Sequence, residues 1–243
     1  MELGILNSCL VIITLLTTAL STASAQDDVC SGDSCNCQLS NIQALGNLIQ
    51  DLVANTTRAN TGVSYIRWGR TTCPSTPGTE LVYTGRAGGN FWSITGGGSD
   101  KLCLPDDPEY LPSTTGINTA IPSSPHVYGA EYEFLAGPAA SVNQHNVPCA
   151  VCFASARGSS IMIPAKTQCP PTWTREYHGY LTTERATHRR SVFSCVDVAP
   201  ETIGASAANT NGALFYHVLS TCNGLTCPPY GAERALSCVV CTK

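Results

Sequence analysis

The sequence predicts an all-β fold: two tandem copies of one disulfide-stapled β subdomain, preceded by a short N-terminal α-helix. Three observations predict it. Landmarks of one half recur in the other in the same order. Fourteen cysteines, 21 glycines and 15 prolines with only 12% charged residues describe a turn-rich chain held by sulfur. Beyond residue 62 the apolar residues fall in short runs broken by Gly and Pro, the pattern of strands rather than of helices.

A repeat of long period governs every local reading. Arg70-Thr71-Thr72-Cys73-Pro74 lies over Lys166-Thr167-Gln168-Cys169-Pro170, and Tyr83-Thr84-Gly85 lies over Tyr177-His178-Gly179. Cys103 is followed by Pro108-Glu109 at the offsets at which Cys195 is followed by Pro200-Glu201, and Gly129-Ala130 matches Gly212-Ala213. Each copy closes on a Cys-x-x-Cys, Cys149/Cys152 and Cys238/Cys241. The modules are 63–158 and 159–243. Only the second carries the additional cysteines Cys222 and Cys227.

Ahead of the modules, residues 1–25 read as a secretory signal peptide, with an apolar run over 10–20 and a small-residue Ala23-Ser24-Ala25 site. That run is shorter than the ~20 residues a membrane span needs, and no later stretch is apolar enough. A secreted, extracellular protein without a membrane span is expected. The net charge of −4 argues against a nucleic-acid binder, whose footprint would be basic.

The segment 26–62 is cysteine-rich. Cys30, Cys35 and Cys37 bring the cysteines outside the signal to an odd number, so at least one lies outside any intrachain scheme. All three are candidates for disulfides between chains. Ile42, Leu45, Ile49 and Leu52 then follow a 3-4-3 spacing that places them on one helical stripe. Ser40 with Gln43 fits a capping box. So short a helix is marginal alone, and an oligomerising, coiled-coil role supported by neighbouring disulfides is expected. Asn55 opens the sequon Asn55-Thr56-Thr57 and is the expected glycosylation site.

In the first module β-like runs fall at 63–68, 80–83, 90–95, 130–135 and 147–154; in the second they fall at 160–163, 174–181, 191–196, 213–219 and 235–240. Gly and Pro clusters separate them, and the Pro-, Ser- and Thr-rich stretch 105–125 reads as a surface loop.

The two Cys-x-x-Cys motifs have the spacing of a four-thiolate zinc site. A secretory chain with many more cysteines favours cystines instead. Cys222 and Cys227 have no counterparts and should bond to each other. A nested scheme, Cys73–Cys152 with Cys103–Cys149 and Cys169–Cys241 with Cys195–Cys238, would tie the end of each module to its start. A loop of ~80 residues closed in this way contributes about 4.5 kcal/mol.

Catalytic signatures are absent: there is no nucleophile elbow, zinc-protease helix or phosphate loop. His126, His145, His178, His188 and His217 are scattered without ligand spacing, so no catalytic residue, metal or cofactor is expected. Arg185, His188, Arg189 and Arg190 form a basic cluster, read either as a solvated hairpin tip or as a site for a sulfated glycan or an acidic partner. Asp106, Asp107 and Glu109 lack the ligand alternation of a calcium loop. Phe91, Trp92, Tyr110 and Tyr128 could stack on sugar rings if exposed.

Ile163-Pro164-Ala165-Lys166-Thr167-Gln168-Cys169-Pro170 with Trp173, Gly179-Tyr180 and a terminal Ser237-Cys238-Val239-Val240-Cys241, inside a duplication, resemble the C-terminal non-collagenous domain of type IV collagen. The C-terminal region of short-chain, spongin-type collagens is closer still, through Tyr65-Ile66-Arg67-Trp68-Gly69-Arg70, Thr79-Glu80-Leu81-Val82-Tyr83 and Cys103-Leu104-Pro105. The resemblance runs from Val63 to Lys243. It implies interlocked all-β subdomains with the nested cystines, exchange of strands between subdomains, a homo-oligomer with a trimer favoured, and a structural, non-enzymatic role in extracellular matrix. The partners it implies are matrix proteins. The alternative expectation is an oligomeric carbohydrate-binding or innate immune recognition protein whose partner is a glycan. The chain departs from the family in having no Gly-x-y repeat, so it cannot form a collagen triple helix itself, and its first module lacks the middle cysteine pair.

Overall fold

A computed structural model describes residues 43–52, 61–112, 114, 123–204 and 207–243. The expected signal peptide, Cys30, Cys35, Cys37, Ile42 and Asn55 lie outside the described residues. The chain divides into two units, Met1–Asn55 and Thr56–Lys243. In the first, helix α1 covers 43–52 and exposes Leu45, Ile49 and Leu52.

The second unit is built of strands. They are β1 (Gly62–Trp68), β2 (Thr79–Gly89), β3 (Leu102–Pro105), β4 (Tyr128–Glu133), β5 (Pro148–Ser155), β6 (Ser160–Pro164), β7 (Thr174–Thr183), β8 (Ser194–Asp197), β9 (Ala213–His217), β10 (Leu219–Ser220), β11 (Arg234–Ala235) and β12 (Ser237–Thr242). An all-β body with a short preceding helix is the observed class.

The duplication is visible in the pairing. β1–β5 of the first copy correspond to β6, β7, β8, β9 and β12 of the second. In each copy the last strand lies between the first and the second, β1-β5-β2 and β6-β12-β7. In each copy the second strand also pairs with the third and fourth. The β10–β11 hairpin belongs to the second copy alone.

The copies share one ten-stranded sheet. β4 and β9 run parallel with equivalent residues facing each other, Ala130 with Ala213 and Tyr132 with Phe215. β1 meets β8 at Trp68 and Val196. With the β7–β9 pairing, the strands β7-β8-β1-β5-β2-β4-β9 close into a ring. Closure satisfies backbone groups that an open sheet would leave at its edge.

Neither module has a core of its own. One cluster joins Trp68, Tyr132, Phe134 and Cys149 to Val196 and Phe215; the other joins Tyr65, Cys152 and Ala154 to Tyr177, Leu181, Cys238 and Val240. Burying apolar area from both copies together contributes more than either small module could bury alone.

The structure moves some expected boundaries. The glycine-rich continuation of β2 is strand, not turn: Gly85 on β2, like Gly179 at the equivalent place on β7, lies flat against the neighbouring strand. A Cβ there would sit 1.9 Å from the Leu104 carbonyl oxygen and 1.8 Å from that of Val196. The run 90–95 is not a strand, since its donors go elsewhere: Ile94 N–H donates to Phe91 O at 3.1 Å and Trp92 N–H to Gly212 O at 3.1 Å. β8 starts at Ser194 rather than 191, because Val192 N–H and Ser191 Oγ both donate to Ser99 O in the first module.

Candidate functional site

Sulfur fixes the ends of both copies. The bonds are Cys73–Cys152, Cys103–Cys149, Cys169–Cys241, Cys195–Cys238 and Cys222–Cys227. Side chains alternate along a strand, so residues three apart face opposite sides. Cys149 therefore joins the core of Trp68, opposite it on β1, and Cys152 joins that of Tyr65.

Between the copies lies an interface rich in paired charge. Arg67 on β1 bonds Asp197 on β8 at 2.7 Å. Glu176 on β7 is wholly buried and accepts from Tyr65 Oη at 2.7 Å, Thr242 Oγ1 at 2.6 Å, Thr79 Oγ1 at 3.2 Å and the Arg157 guanidinium. Burial, and then the Glu176 carboxylate beside it, push the Tyr65 phenol above its usual range. Tyr177 Oη is within 2.9 Å of the carbonyl oxygens of both Ile66 and Cys195, spanning the same seam.

A corner after β1 completes the contact. Gly69 turns with φ 88°, its N–H donates to Pro148 O at 2.8 Å, and its carbonyl accepts from Glu201 N–H at 2.7 Å. Arg70 pairs with the Glu201 carboxylate at 3.1 Å, and Thr71 donates to it through N–H at 2.9 Å and Oγ1 at 2.8 Å. Burial would raise the Glu201 carboxyl; the Thr71 hydrogen bonds and the charges of Arg70 and Arg67 outweigh it and hold the group below its ordinary value.

The basic cluster belongs to a second clasp. The loop carrying it packs on the glycine-rich loop of the first module: Arg189 N–H donates to Trp92 O at 2.9 Å, and the His188 ring lies 4.4 Å from that of Trp92. Lys101 is buried beneath, bonded to Ser191 Oγ at 2.9 Å and 4.8 Å from the Phe215 ring. Burial lowers its ammonium to about 8, with Glu184 acting in the opposite direction. Phe91 and Trp92 stack on each other, Tyr128 and His188, and are half-buried; of the four aromatics proposed for sugar stacking, Tyr110 is the one fully exposed, at 86%.

The interface stops short of symmetry. Among the described residues β6 pairs only with β12 and β3 only with β2. Ile161 on β6 and Leu102 on β3 are exposed. Cysteines apart, nothing in the sequence motifs marked this seam, because its partners come from opposite ends of the chain; the aligned Pro108-Glu109 and Pro200-Glu201 were the available signal.

Among the described residues no group of three or more His, Cys, Asp or Glu could hold a metal ion, and no helix is long and apolar enough to cross a membrane. The chain matches no family model and no curated protein.

Proposed function

We propose that this is a secreted, non-enzymatic structural or assembly protein of the extracellular matrix, acting as a homo-oligomer, with a trimer favoured. The observation that supports it is the pair of strand edges, β3 and β6, left open among the described residues on a body seven of whose strands close into a ring. Such edges recruit another strand. The five disulfides among the described residues suit an oxidising compartment. The resemblance to spongin-type and type IV collagen C-terminal domains belongs to this reading, with chain association assigned to the α1 stripe, Ile42, Leu45, Ile49 and Leu52, and to Cys30, Cys35 and Cys37 in place of a triple helix. The test is expression of the full chain in secretory cells, followed by non-reducing electrophoresis of the medium and matrix. Reducible multimers outside the cell are expected; a chain kept inside the cell, or migrating singly, contradicts the proposal.

A second reading, an oligomeric carbohydrate-binding or immune recognition protein, is favoured by one observation. Arg189 and Arg190 wall a recess of about 380 Å³ against the glycines Gly96, Gly97 and Gly98, and neither forms an ion pair among the described residues. Retention on immobilised heparin that Arg190→Ala reduces would support it.

A further inference from the structure

The interface made once inside the chain has an unmade duplicate. The duplication carries Gly69-Arg70-Thr71 onto Ala165-Lys166-Thr167, and Pro200-Glu201 onto Pro108-Glu109. The first corner is occupied by the second module's Glu201. Its counterpart at Ala165 meets no such residue among the described residues.

The empty corner is nevertheless built. Ala165 holds φ 58°, a left-handed conformation that Gly69 adopts freely and that alanine rarely adopts. Its N–H donates to Ser237 O at 2.7 Å, as that of Gly69 donates to the equivalent Pro148 O. The backbone thus enters both corners with the same N–H contact and a left-handed turn. Beside it lies a recess of about 570 Å³, walled by Pro164, Ala165, Lys166, Tyr230 and Arg234. Part of this wall is the hairpin that only the second module possesses.

The complementary half lies on the first module. Asp106, Asp107 and Glu109 follow β3 and are exposed. Lys166, Arg234, Asp107 and Glu109 form no ion pair among the described residues. Two cations thus line the vacant corner and an acidic segment follows the other open edge.

We infer that the occupant is a second copy of this chain. The segment after β3 of one molecule docks beside β6 of the next, Glu109 taking at Ala165, Lys166 and Thr167 the place that Glu201 takes at Gly69, Arg70 and Thr71. The contact is head-to-tail, joining different surfaces of the two copies, so it repeats and builds a ring where the rotation closes. This contact rests on the proposal that the protein self-assembles and adds the residues that do it.

The test lets full-length chains with and without ¹⁵N label oxidise and assemble together, so that mixed assemblies form, and joins touching carboxylate and amine groups with a carbodiimide. Mass spectrometry then reads the linked peptides. A Lys166–Glu109 link between labelled and unlabelled chains is expected. Lys166→Glu and Glu109→Lys, singly, each remove one of the two groups the amide needs and place like charges at this corner, so this link is lost, and the double variant, which exchanges the two groups, restores it. Circular dichroism checks that each variant is folded. An assembled wild type without the link overturns the contact and leaves self-assembly standing, as does a link confined to one isotopic species. A monomeric wild type overturns both.

Discussion

Cys149 and Cys152 lie on one strand, β5, yet anchor different cores, Cys149 to Cys103 and Cys152 to Cys73. The two bonds therefore restrain different parts of the unfolded chain, spanning 46 and 79 residues. Replacing either pair by alanine lowers stability by about 4 kcal/mol. Guanidinium unfolding without reductant measures this, and an unchanged midpoint in either variant contradicts it.

Glu176 is the most heavily used carboxylate of the seam. Glu176→Gln leaves the Arg157 guanidinium, itself mostly buried, without its counter-charge and costs about 3–5 kcal/mol. Tyr65→Phe removes one donor from the same carboxylate and costs about 1 kcal/mol. The ordering, glutamine well above phenylalanine, is what equilibrium unfolding should show.

Gly85 and Gly179 test the duplication at the level of single atoms. Alanine at either position drives a methyl into a backbone carbonyl that cannot withdraw without separating β2 from β3 or β7 from β8. Each substitution costs about 3 kcal/mol, seen as a lower yield of folded protein and a lowered unfolding midpoint. Gly96→Ala, in open space, leaves both unchanged.

Alkaline stability follows from two opposed shifts. Lys101 falls from 10.5 to about 8 on folding. Its burial penalty is present below about 8 and is relieved as pH rises from there to 10.5, where the unfolded chain holds more protons. Tyr65, Tyr132 and Tyr177 are raised above 10.0 by burial, so the folded state keeps phenolic protons that the unfolded state loses. Stability therefore rises between pH 8 and 10 and falls beyond it. Lys101→Met removes the rise and keeps the fall, as unfolding midpoints across this range would show.

The fold class, the two copies and the cystine framework were legible because each rests on local composition or on a motif repeated in order. The nested pairs coincide with the sulfur contacts of the structure. The merging of two modules into one sheet was not legible: β4 and β9 pair across some eighty residues, and no short-range signal sets that register. β3 was missed because four residues hidden behind a glycine-rich loop carry little periodicity. For the site, the matching residues Arg70 and Lys166, and Glu201 and Glu109, were visible in the alignment of the halves. That Arg70 meets Glu201 required the crossing of β1 and β8, which only the folded chain displays.

Native mass spectrometry of the full-length oxidised protein, never reduced, decides whether copies of this chain assemble. A mass of several chains, three being favoured, that persists on dilution is the predicted result. One chain at every concentration would contradict it.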